Sequence, residues 1–117
     1  MRFIKKSSEY QSIYRDHCKV QGEFFSVLYR LDTGVEESSI GIVVRGKVGN
    51  AVLRNKLRRR IKAYLNQNNN KIPNKISAVI LAKDNASEAG WQEINSDLDR
   101  CFTVIYHSLH STLQEDK

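Results

Sequence analysis

"SIGIVVRGKVGNAVLRNKLRRRIKAYL", residues 39–65, decides how the rest of the chain is read. Its first eight residues have a continuous apolar middle, the pattern of a strand that is covered on both faces or central in a sheet. The period then changes. Asn50 follows Gly49 and suits an N-cap, and the spacing predicts a helix from about Ala51 to Asn66. At 100° per residue, Leu53, Leu57, Ile61, Tyr64 and Leu65 gather within about a third of the circumference. Lys56, Arg58, Arg59, Arg60 and Lys62 occupy most of the remainder, with Arg54 at the boundary. Such a helix packs on a sheet through one side and presents cations from the other.

The charge is concentrated there. The 117-residue chain carries a net charge of +6, but residues 38–83 hold eleven Lys or Arg and no Asp or Glu, against eight basic and thirteen acidic residues elsewhere. Solvated helix faces ordinarily mix signs at i, i+4. Packing Arg58, Arg59 and Arg60 side by side costs self-repulsion that phosphates would relieve, so the expected partner is a polyanion, nucleic acid rather than a membrane surface. Arginine suits the task because its planar fork bridges two phosphate oxygens or stacks on an unpaired base. Arg45, Lys47 and the glycines of "VRGKVGN" extend the patch, and Gly46 permits close backbone approach.

Working outward, Ser8 with Gln11 has the form of a capping box, and Tyr10, Ile13, Tyr14 and His17 recur at helical spacing, giving a first helix over about 8–18. "VQGEFFSVLYRLD" reads as one strand, or two with a bend near Gly22. "NQNNNKIPNK" reads as a polar linker and "ISAVILAK" as a strand. From about Ser87, Trp91, Ile94, Leu98, Phe102, Ile105 and Leu109 mark a long third helix with an acidic outer face, and the closing "QEDK" is expected to fray. The expectation is one domain over residues 1–117. It is an α+β, two-layer sandwich with three helices on a mostly antiparallel sheet of about four strands.

Other function classes find little support. No apolar run approaches the length of a membrane span, and "MRFIKKSSEYQ" lacks the apolar stretch of a signal peptide, so the chain reads as cytoplasmic. Cys18 and Cys101 have no CxxC spacing and are expected as buried or half-buried thiols. His17 beside Cys18 is half a metal site at most, so no metal ligand is assigned. His17, His107 and His110 have no nucleophile at a telling spacing, and no catalytic residue is assigned. Tyr10, Tyr14, Phe24, Phe25 and Tyr29 lie close in sequence to Lys5, Lys6, Arg15 and Lys19; core packing claims several, and Tyr10 and Tyr14 best suit base stacking.

"GIVVRGKVGNAVLRNKLRRRIK", residues 41–62, resembles the signature segment of the bacterial ribonuclease P protein subunit. The matching elements are Gly41, the Lys47-x-Gly49-Asn50-Ala51-Val52 run, Arg54-Asn55 and the cluster Lys56, Arg58, Arg59, Arg60. A basic N-terminal arm, the Tyr10/Tyr14 pair, the "AVILAK" strand and the closing amphipathic helix follow the family's order over nearly the whole chain. The resemblance implies a ribosomal protein S5 domain 2-like fold whose second helix makes a left-handed βαβ crossover, against the usual right-handed rule. It implies two partners, the catalytic RNA subunit of ribonuclease P and precursor tRNA. The ribonucleoprotein removes the 5′ leader endonucleolytically, with Mg²⁺ bound mainly by the RNA, which carries the chemistry, and with no organic cofactor.

Carried over by residue, Asn50, Arg54, Asn55, Lys56, Arg58, Arg59, Arg60 and Lys62 would bind the catalytic RNA, and Arg45 and Lys47 of the preceding basic loop are assigned to the same RNA-binding surface. Lys6, Tyr10, Tyr14 and Phe25 would line a cleft for the single-stranded leader. Arg45, Gly46 and Lys47 stand where the family usually has Ser-Lys-Lys, which moves one cation. Ala63 and Tyr64 replace a commonly charged pair, which implies weaker binding at the helix's far end. The main rival is a structural or ribosomal-type RNA-binding protein without a role in tRNA processing. A self-sufficient nuclease using the acids of the last helix is a second, disfavoured because those carboxylates are segregated from the cations. Double-stranded DNA binding would need a helix-turn-helix the pattern lacks.

Overall fold

A computed structural model describes the backbone through Glu115 and side chains through His110. The elements run β1 (Arg2–Phe3), α1 (Ser7–Arg15), β2 (Cys18–Gln21), β3 (Phe25–Leu31), β4 (Ser39–Val43), α2 (Ala51–Gln67), β5 (Ile76–Ala82) and α3 (Trp91–Glu115). Among the described residues the five strands form one sheet in the order β1-β4-β5-β3-β2. The pairs β2–β3 and β3–β5 are antiparallel, whereas β1–β4 and β4–β5 are parallel. The sheet is therefore mixed rather than mostly antiparallel, and it has five strands rather than four. The extra strand, β1, is two residues long and has no local signature of its own. The parallel β4–β5 pair is joined by α2, as parallel neighbours require a crossover.

Strand alternation sorts the core. Phe25, Val27 and Tyr29 of β3, Ile40 of β4, and Ile76, Ala78 and Ile80 of β5 share one face with Leu57, Ile61, Tyr64 and Leu65 of α2 and Ile94, Leu98, Phe102 and Ile105 of α3. On the other face Leu28 and Val79 meet Ile13 of α1 and Ile4, which follows β1. Helices thus occupy both sides, a departure from two layers: nine-residue α1 covers only part of its face.

Local details correct several expectations. The N-cap of α1 is Lys6, with no side-chain capping bond, so Ser8 and Gln11 do not form a box, and the helix stops at Arg15. Gly22 marks a reversal between β2 and β3, closed by Gly22 N donating to Phe25 O at 2.7 Å. The segment 66–75 is ordered rather than a free linker. α2 runs on to Gln67, a 3-10 turn covers Asn69–Lys71, Ile72 is buried, and Ser38 Oγ donates to Pro73 O while accepting from Ile76 N. A 3-10 turn over Asp84–Glu88 precedes α3, which begins at Trp91, and that tryptophan is exposed. Cys101 is buried and its thiol is pushed up to about 11 by that burial; Cys18, expected as at least half-buried, is exposed. The closing QEDK falls outside the described side chains.

The acidic face of α3 turns out to be partly structural. Asp97 is buried, and its carboxylate accepts from the backbone N–H groups of Glu23, Phe24 and Phe25 at 2.7, 2.9 and 3.0 Å. Asp99 accepts from Tyr64 Oη at 2.7 Å and Lys71 Nζ at 3.3 Å, tying α3 to α2 and to the turn after it. The Tyr64 and Phe102 rings stack beside this bond with centroids 6.4 Å apart.

Candidate nucleic-acid interface

The strand-to-helix connection fixes the first part of the site. Asn50 Oδ1 accepts from Leu53 N at 2.9 Å, the expected N-cap. Arg54 Nη1 donates to Gly49 O at 2.6 Å, and Arg58 reaches Val44 O and Asn55 Oδ1, each at 3.4 Å. These neutral acceptors orient two guanidiniums without neutralising them. Among the described residues the ion pairs are Met1 amine–Glu37, Arg2–Glu9, Lys71–Asp99 and Arg100–Asp97. None involves Arg45, Lys47, Arg54, Lys56, Arg58, Arg59, Arg60 or Lys62.

Helix geometry spreads those cations over a broad arc. Leu57, Ile61, Tyr64 and Leu65 are buried, as the periodicity requires. Arg59, Lys56 and Asn55 point away from them into water, while Arg58 and Arg60 flank the buried stripe half-covered. Lys62 Nζ lies 5.6 Å from the Phe3 ring centroid, a cation–π contact that ties the patch to β1. Leu53, expected in the buried stripe, is 40 % exposed. Val48 of the preceding 3-10 turn is buried in the core, which Leu53, one turn ahead of Leu57, does not reach. Tyr64 is fully buried, so its place in the sequence reflects core packing rather than a missing surface charge.

The second part lies between α1 and the sheet. The Tyr10 ring rests on Gly41 so closely that a β-carbon there would overlap Tyr10 Cε1 and sit within 2.9 Å of its hydroxyl oxygen. Tyr14 follows one turn later, its ring 6.4 Å from Tyr10 and tilted by 42°. Together with Lys5, Ser7, Gln11 and Val43 the two tyrosines line a concavity of about 420 Å³. Partial burial, reinforced by Tyr10, raises the Tyr14 hydroxyl above its ordinary pKa, and the Arg45 charge opposes the shift. Arg45, in the β4–α2 connection, is thus near enough for its charge to act on Tyr14. On the opposite flank of α1 lies a smaller polar recess of about 230 Å³, its charges engaged: Arg2 with Glu9, and Arg30 Nη1 with Ser12 O at 2.9 Å.

Two cleft residues need correction. Phe25 is fully buried against the α2 and α3 side, because odd positions of β3 face that core. On the α1 side β3 presents Ser26 and Leu28 instead, beside Val43 of β4 and Leu81 of β5, which pair in register. Lys6 is exposed at the helix cap, and Lys5 is the lysine that lines the concavity. Gly41 and Val43 carried the clearest missed signal: on a strand with both faces covered, a single glycine in an otherwise apolar run marks where something approaches closely.

Comparisons with known proteins bear on both parts. Residues 1–106 match the profile of the family described as Ribonuclease P. A protein of Fusobacterium nucleatum named ribonuclease P protein component is 32% identical over 106 residues, spanning 87% of this chain and 95% of that one. A solved structure of Staphylococcus aureus RNase P protein superposes with a TM-score of 0.81 at 27% identity, covering 88% of this chain and 94% of that one. The RNase P protein from Thermotoga maritima gives 0.70 at 30% identity, with 76% and 84% covered.

Proposed function

This chain belongs to the ribonuclease P protein family, and from that premise we propose that it binds the catalytic RNA subunit and precursor tRNA in a ribonucleoprotein that removes the tRNA 5′ leader. The observation that carries the reading is the row of cations on α2, unpaired with any carboxylate among the described residues and mounted on a helix whose opposite stripe is buried. Guanidiniums held this way lose little further freedom when phosphates arrive. If six to eight phosphates are neutralised, log affinity falls with log salt at about 0.7 to 0.9 per contact.

The α1 cleft suits a single strand. Tyr10 and Tyr14 offer stacking faces, Lys5 supplies charge in the lining, the Arg45 charge acts on Tyr14, and the sheet offers the small and apolar residues Gly41 and Val43. Because β4 carries Gly41 and Val43 of the cleft and leads directly into α2, RNA bound along α2 would deliver the leader into the cleft. Mg²⁺ supplies the chemistry when bound to the RNA. The α2 face carries cations and amides, which do not fit a divalent ion, so this chain's part is to hold the two RNAs in place and offset their mutual repulsion.

The decisive experiment mixes the purified protein with a bacterial ribonuclease P RNA and a precursor tRNA at low Mg²⁺. Restored release of the mature 5′ end is expected. RNA binding without any gain in processing would favour the structural RNA-binding alternative, and cleavage by the protein without RNA would overturn both.

A further inference from the structure

Val52 is 74 % exposed, and Leu53 beside it 40 %. By 100° steps Val52 lies within about 60° of Asn55, Lys56 and Arg59 and on the opposite side from Leu57, Ile61, Tyr64 and Leu65. It therefore sits in the middle of the cationic face, not at its border. Leu53 leans back over the preceding loop, where a β-carbon on Gly49 would come within 2.9 Å of its Cδ1. Val52 is an exposed apolar spot flanked by Asn55, Lys56 and Arg59, all exposed, with Leu53 next to it in the same turn.

A valine here does little for the fold. It buries almost nothing and is a poorer helix former than alanine. Single exposed apolar residues are ordinary on protein surfaces. Position makes this one different, because a polyanion gripped by Lys56 and Arg59 has to cover it. A phosphate laid on an apolar spot would lose hydration without a donor in return. The apolar surfaces of a nucleic acid are its base faces and the C–H edge of its sugars.

We propose that Val52, with Leu53 as its shoulder, packs against the base or sugar face of an unpaired nucleotide in the partner RNA, adding a salt-independent increment to a contact otherwise made of charge. The inference rests on the RNA-binding reading above. It places a nucleoside, rather than another phosphate, over the first turn of α2.

The test compares the parent chain with Val52→Ala and the nearly isosteric Val52→Thr. Each is titrated with an in vitro transcribed bacterial ribonuclease P RNA and, separately, with inorganic polyphosphate, which offers charge but no nucleoside. Alanine improves helix propensity, so folding is not at risk. Both variants are expected to bind the RNA about three- to tenfold more weakly, from the apolar area left uncovered. The salt slope and the polyphosphate affinity should stay at the parent's values. Equal RNA affinity of Val52→Ala and parent overturns the inference and leaves RNA binding standing, as does an equal loss on both polyanions, which would mean displaced cations. A parent chain that binds the RNA no better than polyphosphate overturns the functional reading and this inference with it.

Discussion

α2 and α3 lie on the same side of the sheet, each with a buried stripe, yet they use charge in opposite ways. The acids of α3 turn inward or sideways: Asp97 gathers three backbone N–H groups of the β2–β3 loop, and Asp99 holds Tyr64 and Lys71. The cations of α2 turn outward and find no acid among the described residues. A carboxylate with several N–H donors stabilises a fold, since the donors would otherwise be stranded. An arginine row with only neutral acceptors and no carboxylate among the described residues keeps its charge and raises the fold's self-repulsion, so the use of that charge lies outside the molecule. One sign of charge is spent on the structure and the other is kept for a partner.

The contrast can be broken at either helix. Asp97→Ala strands three donors, two of them buried, and should lower stability by about 3 kcal/mol or more in urea denaturation. A loss under about 1 kcal/mol would show that the hairpin finds other acceptors and that α3 is not the structural helix. Changing Arg59 and Arg60 together to alanine should do the reverse. RNA binding should weaken about tenfold near physiological salt and the salt slope flatten by about 1.4 to 1.8, while the denaturation midpoint stays nearly in place. An unchanged slope would remove the phosphate contacts.

Smaller effects sharpen the boundary between the two helices. Tyr64→Phe removes the hydroxyl that Asp99 accepts from, and should cost about 1 kcal/mol of stability without touching the salt slope. A change in slope would mean that Asp99 also tunes the cationic face. Alkaline pH probes the same seam. Burial raises Tyr64, and the Asp99 hydrogen bond adds to it; burial raises Cys101 from 9.0 to about 11. Each folded-state value lies above its unfolded one, so this stability is whole below about pH 9 and is lost as pH climbs toward about 11. By pH 9.5 the Cys101 share should be somewhat under about 1 kcal/mol, read as a falling thermal midpoint. A flat midpoint through that window would mean the seam is open to water.

The two faces of α2 and the N-cap at Asn50 were legible because helical spacing converts position directly into direction. The β5 strand was legible for a similar reason, a β-rich run bounded by breakers. Phe25 and Leu53 were misplaced where that logic stops. An aromatic in a strand serves a cleft or a core according to which face is turned to which helix, and one helical turn is buried only if something lies beneath it. The two-residue β1 and the inward turn of Asp97 had no local signature, since each exists only through a partner 37 or 74 residues distant.

By itself, then, the sequence determined an amphipathic basic helix, its capped start and the polyanion it asks for, all consequences of short-range geometry and net charge. Only the tertiary structure decided that Tyr10 of α1 closes over Gly41, and that Asp97 of α3 is turned to the protein's own backbone while Asp99 holds Tyr64 and Lys71. Those outcomes depend on which surfaces meet when the chain closes on itself, and the spacing of neighbouring residues does not encode that.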